Sequence, residues 1–191
     1  MDRSLRTQRW LRAAVGLLAL LAIAFSATAV IVQEGSAVLI TRFGRPMRAA
    51  TQAGLHWKLP WPIDQSVTID WRCPDDLAFQ GERQDLEEML GNLLDNACKW
   101  CRSRVRLSAA SDAAAEMRVR LRLTLEDDGP GISAADRARV LGRGVRADEE
   151  VPGHGLGLAM VQDTVELYGG TLTIDTSPLG GACFELRLPG R

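Results

Sequence analysis

Hydrophobic and polar positions along this chain fall into a few clear rhythms, each of which predicts an element. From Ala13 to Val32 twenty residues carry no charge and are rich in Leu, Ala, Ile and Val. At about 1.5 Å per residue that run is long enough to cross a bilayer, and it predicts a transmembrane helix. Further on, Leu86, Met89, Leu90, Leu93, Leu94 and Ala97 recur at the spacing of an amphipathic helix. From Glu116 to Glu126 the rhythm changes: Met117, Val119, Leu121, Leu123 and Leu125 alternate with Arg118, Arg120, Arg122 and Thr124, the period of a half-buried strand. Helical spacing returns with Leu156, Leu158, Ala159, Val161, Val165 and Leu167 and stops at Tyr168-Gly169-Gly170. Thr171 to Thr176 and Cys183 to Leu188, joined through Ser177-Pro178-Leu179-Gly180-Gly181, predict a closing β-hairpin. Nearer the front, Ala37 to Phe43 and Val67 to Trp71 predict two short strands separated by a Pro/Gly-rich loop.

The predicted helix around residue 92 has a second face. At roughly 100° per residue, Glu88, Asn92, Asn96 and Lys99 fall on one stripe opposite the apolar arc. Those residue types suit a metal-bound polyphosphate: magnesium is a hard ion that takes oxygen ligands, so the amide oxygens of Asn92 and Asn96 fit it, and Lys99 adds a mobile positive charge for phosphates. The same stripe also describes an ordinary solvated helix face. Two glycine segments downstream shift the balance toward a nucleotide site. Asp127-Asp128-Gly129-Pro130-Gly131 follows the predicted strand, where glycines let the backbone turn sharply and approach a ligand. A carboxylate at Asp127 is placed to accept from an exocyclic amine such as that of adenine. Gly153-His154-Gly155-Leu156-Gly157-Leu158 opens the next predicted helix, whose first amides form an anion site. Neither segment is a dinucleotide fingerprint or a P-loop.

Composition narrows the classes further. With 23 Lys and Arg against 24 Asp and Glu, the net charge is −1, which excludes a basic nucleic-acid footprint. Cys73, Cys98, Cys101 and Cys183 show no paired metal spacing and predict free thiols. Arg3, Arg6, Arg9 and Arg12 precede the apolar run and, by the positive-inside rule, keep the amino end in the cytoplasm. Taken alone, that orientation sends the remainder of the chain to the face where ATP is scarce, whereas Arg42, Arg45, Arg48 and Lys58 favour the opposite insertion. The side on which the C-terminal part resides is left open.

The run Glu88-x-x-Gly91-Asn92-Leu93-Leu94-Asp95-Asn96-Ala97-Cys98-Lys99, followed in order by the two glycine segments, resembles the ATP-binding catalytic domain of bacterial sensor histidine kinases, most closely the PhoQ type. This resemblance implies a two-layer α/β sandwich of the GHKL (Bergerat) kind over residues 66–191, with ATP and Mg2+ as cofactors. It implies that Asn92 and Asn96 serve the metal and that Lys99 serves the phosphates. It further implies that Asp127 meets the adenine amine, that Gly129, Gly131, Gly153, Gly155, Leu156 and Gly157 make close backbone contacts, and that Arg143 and Arg146 are candidate phosphate contacts. Leu141-Gly142 stands where the family has an aromatic-containing box. Related hydrolases of the gyrase, Hsp90 and mismatch-repair type place a Glu four residues before the metal-binding Asn, where it acts as general base; this chain has Asn92 there. Phosphoryl transfer is therefore expected over hydrolysis.

Neither His56 nor His154, the two histidines of the chain, lies on a helix of the phosphoacceptor kind, so the chain is not expected to phosphorylate itself as a complete kinase. Gln33 to Pro46 and Ala53 to Pro62 resemble the opening of the stomatin/prohibitin family, especially membrane protease modulators of the HflC type. The expected organisation is a basic cytoplasmic end at 1–12, a transmembrane helix at 13–32, a stomatin-like fragment at 33–65 and the ATP-binding domain at 66–191. That order fits a fused or internally deleted gene as well as a selected one. Expected partners are ATP, the membrane, a phosphoacceptor or response-regulator protein acting in trans, and a second copy of the chain, with no nucleic acid. The expected location is the bacterial inner membrane, crossed once. The rival reading is a stomatin-like scaffold or protease modulator carrying a vestigial ATP domain.

Overall fold

The computed structural model describes residues 12, 15–17, 28–42, 45–59, 63–112, 120–142 and 156–190. They separate into two compact units, Met1–Ser66 and Val67–Arg191.

The first unit is built from short strands. β1 (Ala29–Val32) pairs antiparallel with β4 (Gly54–Trp57), Ala29 opposite Trp57 and Val32 opposite Gly54. β2 (Ser36–Arg42) and β3 (Arg45–Ala50) form a hairpin whose register shifts between Ile40 and Thr41. Val32, Val38, Ile40 and Ala50 make a small core, with Val30 packed against it. Arg42 grips the buried Asp64 through two hydrogen bonds, at 2.7 Å and 3.2 Å. The last four residues of the apolar run, expected as the end of a transmembrane helix, are strand. Val30, Ile31 and Val32 are β-branched, which lowers helix propensity, and they find a partner in β4. Residues 18–27 of that predicted helix lie outside the described residues. Among the described residues no helix is long and apolar enough to cross a membrane. The stretch expected as a Pro/Gly-rich loop contains β3 and β4, which are short and carry little alternation to announce them.

The second unit positions the candidate site. β5 (Asp64–Arg72) runs into it and pairs parallel with β6 (Arg104–Asp112), from Thr68 opposite Arg104 to Arg72 opposite Ser108. A parallel pair needs a crossover, and α1 (Arg83–Trp100) supplies it. β7 (Arg120–Asp127) then pairs antiparallel with β6 and with β9 (Ala182–Pro189), and β8 (Thr171–Thr176) closes the edge. The strand order within this unit is β5-β6-β7-β9-β8. α1 packs on β6 and β7, α3 (Gly157–Leu167) on β8 and β9, and the two helices on each other. The short α2 (Ala134–Val140) lies against β8.

The result is a two-layer α/β sandwich. Its core takes Met89, Leu93 and Ala97 from α1 and Ala159, Val161 and Val165 from α3. The sheet contributes Val105, alternate leucines of β7, and Phe184, Leu186 and Leu188 of β9. The α1, α3 and β7 members are positions that the helical and alternating patterns nominate, whereas Val105 is not among them and the nominated Leu156 and Leu167 are exposed. At the end of α3, Gly169 takes φ +64°, the left-handed stop that glycine adopts without strain. Its neighbour Gly170 runs so close to the Arg187 carbonyl that a Cβ there would collide with it.

Candidate functional site

α1 carries the predicted polar stripe as expected from its spacing. Asn92 and Asn96 lie one turn apart and partly buried, with Lys99 exposed in the last turn and its Nζ 5.7 Å from the centre of the Trp100 ring. The amide of Asn92 is oriented by its own helix: Nδ2 donates to the Glu88 carbonyl at 3.0 Å, which leaves Oδ1 as the outward group. That oxygen meets the start of α3. A Cβ added to Gly157 would stand 3.0 Å from Asn92 Oδ1, so the bare backbone of Gly157 is what lets α3 begin against α1. Leu156, just before it, is exposed, and the helix start has no side-chain cap.

The other glycine segment meets the far end of the same helix. β7 ends in Asp127, which is only 3% exposed. Its Oδ1 accepts from the Gly129 amide at 2.8 Å and the Ala182 amide at 3.1 Å, and among the described residues no partner is assigned to Oδ2. Burial pushes the Asp127 carboxyl above the ordinary carboxylate value, the two backbone donors pull it back in part, and the neighbouring charge of Asp128 adds to the rise. A Cβ on Gly129 would lie 2.5 Å from the Trp100 carbonyl, and one on Gly131, at φ +76°, 3.3 Å from the Gly181 carbonyl. Asn92 and Trp100 are eight residues apart, about 12 Å along the helix. Gly129 and Gly157, one from each glycine segment, therefore both lie against α1.

Asp128 does different work. It accepts from the amides of Arg102 at 2.8 Å, Ser103 at 3.0 Å and Arg104 at 3.1 Å, and from the Ser103 hydroxyl at 2.7 Å. Partial burial opposes its charge, but the donors from Ser103, Arg104 and Arg102 outweigh it and hold the carboxyl at about 2. It fixes the turn between α1 and β6. Sequence reasoning grouped Asp128 with the glycine motif and assigned it nothing; the Asp-Asp doublet after a strand was the available signal. The hairpin-turn pattern gives Gly181 no further role, yet its amide donates to the Asp127 carbonyl at 3.1 Å.

Cys98 and Cys101 sit at the end of α1, where burial raises their thiols to about 11 and about 12, nearby acidic groups adding to the rise. They and the other two cysteines are free. No group of three or more His, Cys, Asp or Glu side chains that could hold a metal occurs among the described residues. Arg143, Arg146, Gly153, His154 and Gly155, all singled out in the sequence, lie outside the described residues.

Residues 81–191 match the family described as histidine kinase-, DNA gyrase B-, and HSP90-like ATPase. Over 123 residues the chain is 49% identical to the sensor protein kinase CarS of Pseudomonas aeruginosa, a match covering 64% of this chain and 26% of that protein. It is 49% identical over 124 residues to the two-component sensor PhoQ of the same organism, covering 65% of this chain and 27% of that one. The mycobacterial sensor histidine kinase MprB superposes with a TM-score of 0.55 at 31% identity, over 64% of this chain and 83% of that structure. The chain thus spans about a quarter of the length of the curated relatives it matches.

Proposed function

The chain belongs to the histidine kinase-, DNA gyrase B-, and HSP90-like ATPase family, whose histidine kinase domains bind ATP with Mg2+, and from that premise we propose that it is a membrane-anchored ATP-binding module for phosphoryl transfer in two-component signalling. The observation that carries this is the seating of Gly129 and Gly157, one from each glycine segment, against α1, with Asn92 Oδ1 directed at the start of α3 and Asp127 buried at the other end. When bound, ATP would supply the phosphoryl group and Mg2+ the neutralising charge, held by residues of this chain.

The chain's own residues bind and orient. Asn92 and Asn96 offer amide oxygens, the donors a hard divalent ion prefers. Lys99 takes phosphate charge, together with Arg143 and Arg146. Asp127 Oδ2 accepts from the adenine amine while its Oδ1 is held by Gly129 and Ala182. Gly129, Gly131, Gly153, Gly155, Leu156 and Gly157 let backbone approach the nucleotide. An amide at position 92 takes no proton at neutral pH, so the protein supplies no base there to activate water. Transfer to a histidine in another protein is favoured over hydrolysis. The acceptor, or a response regulator, acts in trans, and the uncharged aliphatic run that begins at Ala13 and precedes β1 supports attachment to a bacterial inner membrane.

Titration of the full chain in detergent with a non-hydrolysable ATP analogue and Mg2+ tests this. Micromolar binding that disappears in Asn96→Ala, with unchanged circular dichroism, is expected. An intact fold that binds no nucleotide would overturn it in favour of a stomatin-like scaffold with a vestigial domain.

A further inference from the structure

At the end of the α1–α3 pair opposite Gly157, a second connection joins the two helices. Tyr168 closes α3, and its hydroxyl donates to Asp85 Oδ2 at 2.6 Å while accepting from the Glu82 amide at 3.1 Å. Glu82 is the N-cap of α1 and makes no side-chain cap bond, and Asp85 is the third residue of that helix. In a capping box the third residue's carboxylate takes the N-cap amide directly. Here a phenol from another helix stands between the two and relays the bond. The ring is also fixed, lying edge-on to Phe79 with centroids 5.0 Å apart. Gly81 threads between these rings so closely that a Cβ would strike both. The strap holding Phe79 is tied in turn to the last strand, through the Gln80 amide bonded to the Pro189 carbonyl at 3.0 Å and a bridge from Phe79 to Gly190.

Among the described residues no side-chain cap sets where α3 begins: its first residue is glycine and its N-cap Leu156 makes no side-chain bond. The Tyr168 relay ties the far end of α3 to the start of α1, and at the near end of α3 Gly157 lies against Asn92 Oδ1. We propose that Tyr168 is a positioning residue for the nucleotide site, holding the start of α3 against Asn92 through Asp85 and Glu82. This rests on reading the Asn92 face as the phosphate end of that site.

The test compares Tyr168→Phe, which keeps the ring and removes the relay, with Asp85→Asn, which keeps an acceptor for the phenol. Without nucleotide, amide hydrogen exchange at Met160 and Val161, in the first turn and a half of α3, is expected to rise about tenfold in Tyr168→Phe while β7 and β9 amides are unchanged. Asp85→Asn should stay near wild type. With the ATP analogue and Mg2+, Tyr168→Phe should bind about fivefold more weakly. Exchange that stays constant, or that rises uniformly across the unit, overturns the proposal, as does unchanged binding by Tyr168→Phe when the wild-type chain binds. A wild-type chain that fails to bind overturns the nucleotide reading instead, and the exchange comparison still decides whether Tyr168 holds the start of α3.

Discussion

Asp128 holds Ser103 twice, accepting from its amide at 3.0 Å and its hydroxyl at 2.7 Å. With the Arg102 and Arg104 amides on the same carboxylate, the turn leaving α1 is fixed to the end of β7. Asp128→Ala should lower unfolding free energy by about 1–2 kcal/mol, a value discounted for partial solvation. The sign with pH follows from the carboxyl lying at about 2 rather than 3.8. A depressed acid contributes stability that is fully present above its unfolded value and is lost as pH falls through the folded one. Denaturant titrations from pH 6 downward should therefore show the wild type losing this increment between about 4 and 2. The Ala variant should lack that limb.

Much of this was legible beforehand, and for a consistent reason. Elements that bury one face wrote their period into the sequence: Met89, Leu93 and Ala97 of α1, and Leu121, Leu123 and Leu125 of β7, are the buried positions that helical and alternating spacing select. β6 escaped notice because Ser108, Ala109, Ala110 and Ser111 carry almost no apolar signal; it forms because it has a strand on either side. α2 has one buried residue, Val140, and is started by a local cap, Ser133 Oγ accepting from the Asp136 amide at 3.3 Å. At the site, Asn92 and Asp127 could be named from motif order. What Gly181, Asp128 and Tyr168 do could not, since each acts through residues 24 or more positions away.

Two glycines of this unit should respond oppositely to alanine. Gly91 lies mid-helix in α1 and a Cβ there meets nothing within 4 Å, so Gly91→Ala should raise stability by about 0.5–1 kcal/mol through helix propensity alone. At Gly181 a Cβ would collide with Asp127 Oδ1 and lie 2.5 Å from the Gly129 amide nitrogen. Neither neighbour is the end of a flexible chain. Gly181→Ala should cost about 2 kcal/mol or more and abolish nucleotide binding. Thermal melts of the two variants check this directly.

The thiols at the end of α1 should be slow to react while the chain is folded. With Cys98 at about 11 and Cys101 at about 12, the thiolate fraction at neutral pH is far below that of a free cysteine, and it is the thiolate that alkylates. Mass spectrometry after brief iodoacetamide treatment at pH 7.5 should find both unmodified, with modification appearing once denaturant is added. Rapid native labelling would contradict the burial described for them.

Asp127 offers the sharpest pH test, because its effects on binding and on folding have opposite signs. Burial raises its carboxyl above 3.8, and only the ionised form accepts from an amine without offering a competing proton. ATP-analogue affinity should therefore decline on acidification before an ordinary carboxylate titrates. The fold does not weaken with it: a raised acid contributes stability that grows as pH falls, and Asp128 is still ionised above about 4. Lost binding in that window is then local chemistry. Asp127→Asn separates the two oxygens. The Gly129 and Ala182 amides, which donate to Oδ1, should hold the amide oxygen in its place and turn the NH2 toward the base, donor against donor. An unmatched buried polar contact costs about 1–3 kcal/mol, so affinity should fall by about tenfold or more, with the acid limb of the binding curve gone and the melting temperature nearly unchanged. Should Asp127→Asn bind as tightly as wild type at pH 7, the carboxylate is not the group that meets the base.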